Sequence, residues 1–162
     1  MKLTMFLARI LAFLLFLPSV NSANGTAVYH GNSRYRSDII CTVKDGMVYK
    51  GTSSYRSDIL YSIKDGKIYK GTSSYRSDVL FTLKDNCIYK GNSSYRSDIV
   101  ATFRDGNVYK GTSSYRSDII VNLKGGKIYR GTSGYTSDVI ASFQDPLSQE
   151  ELAAVLYLLG VF

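Results

Sequence analysis

Hydrophobic and polar residues alternate in short runs through most of the chain. In the segments 58–64 (DILYSIK) and 67–70 (KIYK) the side chains alternate with a period of two, which is the pattern of a half-buried β-strand. Asp65 and Gly66 separate the two segments, and this pair is typical of a two-residue turn with positive φ angles. The segment 58–70 is therefore predicted to be a β-hairpin.

Closing this turn determines which side chains share a face of the hairpin. Ile63 then stands opposite Ile68, and Tyr61 stands opposite Lys70. Together with Ile59, the apolar members of these pairs form the face that we expect to build the core. The other face is expected to carry Leu60, Ser62, Lys64, Lys67 and Tyr69.

The hairpin is repeated six times with a constant period of 20 residues, from about Thr26 to Phe143. Ordering 20 residues costs roughly 30 kcal/mol, whereas burying four or five aliphatic side chains returns about 1.5 to 3 kcal/mol each. The copies must therefore pack on one another. The column that shows the period most plainly contains Tyr29, Tyr49, Tyr69, Tyr89, Tyr109 and Tyr129.

Two observations favour closure of the copies into a ring. An open solenoid needs polar end copies, but the first and last copies differ from the others only at positions such as His30, Arg34, Gly134 and Thr136. Closure also removes unpaired strand edges. The alternative is an open hairpin solenoid similar to the cell-wall-binding repeats.

One predicted core column shows how a ring would fill its centre. In a ring of six, each larger member of this column would face a smaller one, which suits a shared core. Cys41 belongs to this column, whereas Cys87 lies beside a turn on the opposite face. We therefore predict two free thiols, the first buried and the second exposed. The column reads Cys41, Tyr61, Phe81, Ala101, Val121 and Ala141.

Residues 146–162 depart from the repeat. Pro146 takes the glycine position of the turn and cannot adopt a positive φ. Ser148 and Glu151 then form a capping box, and the following helix is apolar nearly all round, so it should be buried. We expect this helix to run to the end of the chain and to cover the apolar opening of the ring as a plug. A helix lying in a membrane interface is the alternative.

Residues 1–22 have the composition of a secretory signal peptide. The basic residues Lys2 and Arg9 precede an apolar run, Ile10–Leu17, and small residues follow this run. This run is shorter than the roughly 20 residues of a membrane span. The chain is therefore predicted to be secreted or periplasmic, with no transmembrane span in the mature chain.

The chain is basic, with 20 Lys and Arg against 13 Asp and Glu and a formal charge of +7. Removal of the signal peptide lowers this charge to about +5. Each copy carries similar charges, so the positive charge is spread evenly along the sequence, whereas a nucleic-acid site would gather it on one face. We predict no nucleic-acid partner, and an anionic ligand of the cell envelope remains open.

The connecting segment 51–58 (GTSSYRSD) has two interpretations. In the first it serves folding: Gly51 gives backbone freedom, Asp58 and the hydroxyls bond loop amides, Tyr55 packs, and Arg56 reaches an aspartate of a neighbouring copy. In the second, six such loops gather on one rim as a shallow cup that binds sugars or carboxylated or phosphorylated ligands. The candidate ligand-binding residues are Tyr35, Arg36, Asp38, Tyr55, Arg56, Asp58, Tyr75, Arg76, Asp78, Tyr95, Arg96, Asp98, Tyr115, Arg116 and Asp118.

Catalysis and cofactor binding have little support in the sequence. His30 is the sole histidine, and it occupies a position that holds lysine or arginine in the other copies. Because this position lies outside the predicted core, His30 is not expected to complete a Ser/His/Asp or Cys/His catalytic set. No two cysteines or histidines stand at metal-ligand spacing, and no glycine-rich phosphate loop is present. We predict a chain that is not an enzyme and needs no metal or cofactor.

The units "DGKIYKGTSSYRSDIL" and the apolar helix after "PLSQEEL" resemble the bacterial β-flower proteins, described in four-fold and five-fold forms. The resemblance implies a closed arrangement of β-hairpin petals in an exported bacterial protein. It implies no activity, so no functional residue is carried over. With six copies, this chain either forms a larger ring or leaves one copy outside.

These observations predict an all-β fold of six hairpin repeats closed into a ring, with a C-terminal helix. The predicted division is a signal peptide over 1–22, the repeats over 24–145 and the helix over 146–162. The predicted function is a non-catalytic binding or structural module of the bacterial envelope. A membrane-spanning barrel is disfavoured because its strands would need roughly 9 to 11 residues.

Overall fold

Six antiparallel β-hairpins make up the structure, a computed structural model that describes residues 24–162. The predicted signal peptide, residues 1–22, lies outside the described residues. The strands are β1 Thr26–His30, β2 Ile39–Lys44, β3 Met47–Lys50, β4 Ile59–Lys64, β5 Lys67–Lys70, β6 Val79–Lys84, β7 Cys87–Lys90, β8 Ile99–Arg104, β9 Asn107–Lys110, β10 Ile119–Lys124, β11 Lys127–Arg130 and β12 Val139–Phe143.

Two-residue turns with positive φ connect the strands of a hairpin, as predicted. Asp65 and Gly66 have φ angles of 51° and 69°, and Asn86 takes the glycine position of another turn with a φ of 62°. Asparagine tolerates this conformation better than most residues. Each turn also bonds to the next hairpin, since the N–H of Leu83 donates to the carbonyl of Gly66 at 2.7 Å. The turn of one copy thereby holds the neighbouring copy in register.

The hairpins close into a barrel in which every strand pairs with its neighbours in the chain and β1 pairs with β12. At the closure, Val28 lies opposite Phe143 and His30 lies opposite Ala141. This confirms the predicted ring, includes all six copies and rules out the open solenoid. Five two-residue turns lie at one end of the barrel, the turn end, and six longer loops lie at the other, the loop end.

A β-bulge at Leu60 reverses two of the predicted side-chain directions. Val48 lies opposite Tyr61, but the next residue, Tyr49, lies opposite Ile59, so Leu60 is an extra residue in β4. The prediction that the Ile59 column is in the core and the Leu60 column outside is wrong, because one inserted residue inverts the alternation beyond it, and neither Ile59 nor its copies belong to the core cluster. The copies of Leu60 that pack against the core are Ile40, Leu80, Val100, Ile120 and Ile140.

The rest of the predicted core face is confirmed. Tyr61 and Ile63 pack against the core, and Cys41 is a buried free thiol. Cys87 is also free, but it is partly buried rather than exposed. One column is fully buried in every copy, and its members are Val28, Val48, Ile68, Ile88, Val108 and Ile128.

The C-terminal helix, α1, spans Gln149–Leu158. It begins with the predicted capping box: the N–H of Ser148 donates to Glu151 Oε2 at 2.9 Å, and the N–H of Glu151 donates to Ser148 Oγ at 3.2 Å. It ends before the terminus because Gly160 has a φ of 69° and the N–H of Val161 donates to the carbonyl of Leu156 at 3.0 Å. This is a Schellman motif, in which a glycine stops the helix.

The helix lies inside the barrel rather than over its opening. Ala153, Ala154, Val155 and Leu156 are all 0% exposed. Successive residues of an α-helix point about 100° apart, so four consecutive buried residues cover most of the circumference. Strands must therefore surround this stretch of α1, which confirms the predicted C-terminal plug and places it within the lumen.

Aromatic side chains set the position of the helix within the lumen. The ring of Tyr157 lies 5.5 Å from that of Tyr61 and 4.7 Å from that of Phe81, and Phe162 lies 5.4 Å from Phe81. Tyr61 and Phe81, the large members of the core column that contains Cys41, thus contact the helix and its tail. They do not fill the small positions across the ring, as the sequence had suggested, because α1 lies between them.

Candidate functional site

The loops at the loop end are held by their own serine and aspartate residues. In the loop 51–58, the hydroxyl of Ser53 donates to Asp58 Oδ2 at 2.6 Å and accepts from the N–H of Tyr55 at 3.1 Å. The N–H of Asp58 donates to the carbonyl of Tyr55 at 3.0 Å, which closes a 3₁₀ turn over Arg56–Asp58. The aspartate of the candidate set therefore serves the loop itself, but through the Ser53 hydroxyl rather than through a loop amide as the folding interpretation predicts.

The loops fold back along the outside of the barrel. Thr42 faces outward, since its neighbours Cys41 and Val43 are buried. Its hydroxyl donates to the carbonyl of Gly51 at 2.8 Å, and the side-chain amide of Asn122 donates to the carbonyl of Ser133 at 2.6 Å. The loops consequently lie around the outer wall, and they do not form the shared cup of the second interpretation.

This anchoring column was missed from the sequence, although it carries a signal. Each of its members has a hydroxyl or amide that can donate to a carbonyl. At the closure of the ring, Ser142 donates to the carbonyl of Ser33 at 3.3 Å, so the last copy anchors the first loop. The members are Thr42, Ser62, Thr82, Thr102, Asn122 and Ser142.

The tyrosine and arginine of each loop project into solvent. Tyr55 is 74% exposed, against the expectation that it packs, and Arg56 beside it is exposed as well. The sixth loop has Thr136 in the arginine position. The structure thus distributes the fifteen candidate residues among five equivalent sites around the barrel rather than bringing them together. The six exposed tyrosines are Tyr35, Tyr55, Tyr75, Tyr95, Tyr115 and Tyr135, at 74 to 77% exposure.

A groove runs along the outer wall beside these loops. One example, of about 590 Å³, is lined by Tyr109, Arg116, Ile119 and Lys124 and by the next loop at Thr132–Gly134. The isoleucine reaches this groove because of the β-bulge, so it could not be assigned from simple alternation.

The same groove recurs in the first copy with a volume of about 700 Å³. Its lining includes Tyr29, Arg36, Ile39 and Lys44, each 80 residues before its counterpart. The groove is therefore a property of the repeat rather than of one copy.

Each groove combines an aromatic ring, an aliphatic floor and basic groups. In the eighth and ninth strands, the guanidinium of Arg104 lies 5.8 Å from the centre of the Tyr109 ring, a cation–π distance. Arginine donors suit carboxylate and phosphate groups in a two-point geometry, and tyrosine rings offer flat contact surfaces. This chemistry suits binding of an anionic ligand.

Within residues 24–162, no cluster of His, Cys, Asp and Glu has the geometry of a metal site. That part of the chain also holds no helix with the length and hydropathy of a transmembrane span. His30 ends β1 at the loop end and is exposed.

Comparison with known proteins identifies the family. A family model described as "6-fold beta flower protein" matches residues 28–156, which extend from β1 into α1. No curated protein and no solved structure matches the chain. The six hairpins, the closed ring and the matched range agree, and the chain belongs to the six-fold β-flower family.

Proposed function

We propose that the chain is an exported, non-catalytic binding module of the bacterial envelope, and that its loops bind an anionic glycan. The observation that carries this proposal is the exposure of the loop tyrosines, together with the exposed arginine beside five of them. Serine, aspartate and backbone groups make the hydrogen bonds of the loop, as in the loop containing Ser53 and Asp58. The tyrosine and arginine side chains are thus left free to contact a ligand.

The chemistry of these side chains favours sugar acids. A tyrosine ring packs against the apolar face of a sugar, and the planar guanidinium binds a carboxylate through two parallel hydrogen bonds. In this proposal the aspartates, such as Asp58, position the loop and do not contact the ligand. Residues of the groove, such as Lys44 and Ile39, extend the contact along the outer wall.

Repetition around the barrel supports a polymeric ligand. Five loops carry both Tyr and Arg, so one polymer chain can contact several equivalent sites. Linked binding events raise the overall affinity by a factor of about 10² to 10⁴ without any new contact. A polymer should therefore bind far more tightly than its constituent monosaccharide.

A glycan array containing uronate polymers, neutral polymers and monosaccharides tests this proposal. We expect binding to uronate polymers and its loss when all five loop arginines are changed to glutamine. Thr136→Arg, which completes the sixth site, should strengthen binding. The five positions are Arg36, Arg56, Arg76, Arg96 and Arg116.

A matched control separates site-specific binding from general charge. A second variant changes to glutamine the five basic residues that end β3, β5, β7, β9 and β11, and so removes the same charge. It should keep most of the binding. Equal loss in both variants, or no binding to any uronate polymer, would contradict the proposal. The control positions are Lys50, Lys70, Lys90, Lys110 and Arg130, none of which lines either groove.

A further inference from the structure

The lumen holds a cavity at the loop end that the outer-wall sites do not involve. The helix leans toward Tyr61 and Phe81 through Tyr157, and the cavity, of about 910 Å³, opens on the side of Val121. A binding site for a small ligand commonly has a volume of 300 to 1,000 Å³ and mostly apolar walls. The apolar wall includes Ile40, Ile120, Ile140, Leu158, Leu159 and Val161.

The mouth of the lumen is surrounded by basic side chains. Lys50 lies opposite Cys41, and Arg130 lies opposite Val121. Residues directly opposite each other in antiparallel strands share a face, so these basic residues lie on the inner face of the barrel. All six members of this ring, which we call the basic crown, are exposed: His30, Lys50, Lys70, Lys90, Lys110 and Arg130.

Charge that is evenly spaced along the sequence is therefore concentrated in space. The 20-residue period equals one hairpin, so a residue type repeated at that interval returns to the same height of the barrel. At the turn end, basic and acidic residues such as Lys64 and Asp65 balance in number. The excess positive charge lies at the loop end, in the crown and in the loop arginines, and this corrects the picture of evenly dispersed charge.

The acidic residues at the loop end are already bonded. Asp138 lines the cavity, and its carboxylate accepts a hydrogen bond from the hydroxyl of Ser133. The aspartates of the other loops accept from their own serines in the same way, as Asp78 does from Ser73 at 2.5 Å. They reduce the positive potential of the mouth but do not cancel it, because the crown and the loop arginines outnumber them.

The copies differ from one another at the cavity. Lysine occupies the crown in four copies, and the two exceptions, His30 and Arg130, are the two crown members that line the cavity. The loop above it is also the one in which Thr136 replaces arginine, and the adjacent Ser137 lines the cavity. Since the other copies retain lysine and arginine, this side of the mouth is chemically distinct from the rest of the ring.

We infer that the loop-end cavity binds an anionic amphiphile. An acyl chain lies against the apolar wall, and a phosphate or carboxylate head group is bound by the guanidinium of Arg130, with His30 beside it. Arginine suits this role because its planar donors match two oxygens of such a head group. The lumen site is separate from the proposed glycan sites, so either can fail without the other.

A simpler role for the crown makes a different prediction. Basic groups near the C-terminal end of a helix stabilise it through the helix dipole, and α1 ends at this mouth. If that were the only role of Arg130, its replacement would lower the stability of the barrel. The protein would then show no affinity for an anionic amphiphile either before or after the change.

Titration calorimetry with soluble monomeric probes tests the inference. The purified chain is titrated with octyl, decyl and dodecyl phosphate below their critical micelle concentrations, and with inorganic phosphate. Affinity should rise about fourfold for each added methylene group, and inorganic phosphate should bind much more weakly. Equal affinity for decyl phosphate and inorganic phosphate would overturn the apolar part of the site.

Two further probes separate the sources of binding. Dodecylphosphocholine, which has a zwitterionic head, should bind at least tenfold more weakly than dodecyl phosphate. Vesicles of phosphatidylglycerol test the bilayer surface. Binding to these vesicles without binding to the monomeric phosphates would show a membrane-surface site and overturn the cavity assignment.

Matched variants locate the site. Arg130→Gln should weaken binding of decyl phosphate at least tenfold. Lys70→Gln removes the same charge from the crown beside Tyr61, where Tyr157 fills the lumen, and should change affinity less than twofold. Equal effects of the two changes would show that only diffuse charge is involved.

A second change tests the cavity without touching any charge. Val121→Phe introduces a ring that the same column accepts at Phe81, and it should abolish binding by filling the space. Retained binding in a folded Val121→Phe barrel would place the ligand elsewhere and overturn the proposal.

Discussion

Replacing Leu156 by alanine tests the enclosure of the helix most directly. Leu156 is 0% exposed and belongs to the core that α1 shares with the strands. If strands surround it on every side, the lumen cannot collapse to fill the space that the substitution leaves. The change therefore removes buried apolar surface and creates a cavity at the same time.

The expected cost is large for a single side chain. Leucine-to-alanine changes in protein cores cost about 2.7 to 5.0 kcal/mol, and the higher values belong to sites that relax least. A closed barrel restrains its strands, so we expect about 3 to 5 kcal/mol. In a chain of this size, each kcal/mol lowers the melting temperature by about 2 to 4 °C, which corresponds to a fall of roughly 10 °C.

Urea denaturation followed by circular dichroism measures this cost, and Leu158→Ala is the matched control. Leu158 is the last residue of the same helix and is only partly buried. Its replacement removes the same atoms and should cost about 1 to 2 kcal/mol. Equal costs for the two variants, or a cost below about 1 kcal/mol for Leu156→Ala, would refute the enclosure of α1.

Three further predictions concern a turn and the two thiols. Gly126→Ala should destabilise the barrel by about 2 kcal/mol in urea denaturation, because a Cβ there would lie 2.4 Å from the carbonyl oxygen of Phe143. Gly125→Asp should have little effect, since four other turns hold aspartate there with φ of 49 to 52°. Burial raises the pKa of Cys41 from 9.0 to about 12. The unfolded thiol therefore ionises first, and the free energy of unfolding should fall by about 1.4 kcal/mol per pH unit between pH 9 and 12. Cys41→Val should lack that component, and an unchanged slope would contradict the burial. A thiol reagent should label the partly exposed Cys87 in the native protein and Cys41 only after unfolding, as mass spectrometry of the labelled peptides would show.

The hairpins could be predicted because local chemistry specifies them, and their closure could be predicted because the first and last copies resemble the others. An Asp-Gly pair adopts the positive φ angles that a two-residue turn requires, and Asp65 and Gly66 do so. A strict 20-residue period without insertions then gives every copy the same geometry. The capping box of Ser148 and Glu151 could be predicted equally well, since it depends on two residues three positions apart.

The binding surfaces were less predictable because they depend on contacts between copies. The loop residues Tyr55 and Arg56 were identified as candidates, but their positions on the outer wall follow from hydrogen bonds to distant strand residues such as Thr42 and Asn122. The groove also depends on the β-bulge, because the bulge turns Ile119 outward so that it lines the groove. An extra residue in a strand becomes visible only once the partner strand sets the register.

The sequence by itself determined the hairpins, the number of copies and most of the core columns, because these depend on periodicity and on short-range backbone preferences. Only the tertiary structure decided that α1 lies within the lumen, that it leans toward Tyr61 and Phe81, and that the basic crown surrounds the mouth. Closing a ring brings residues 20 positions apart to one height and leaves space for a helix. Neither consequence can be read from any single copy.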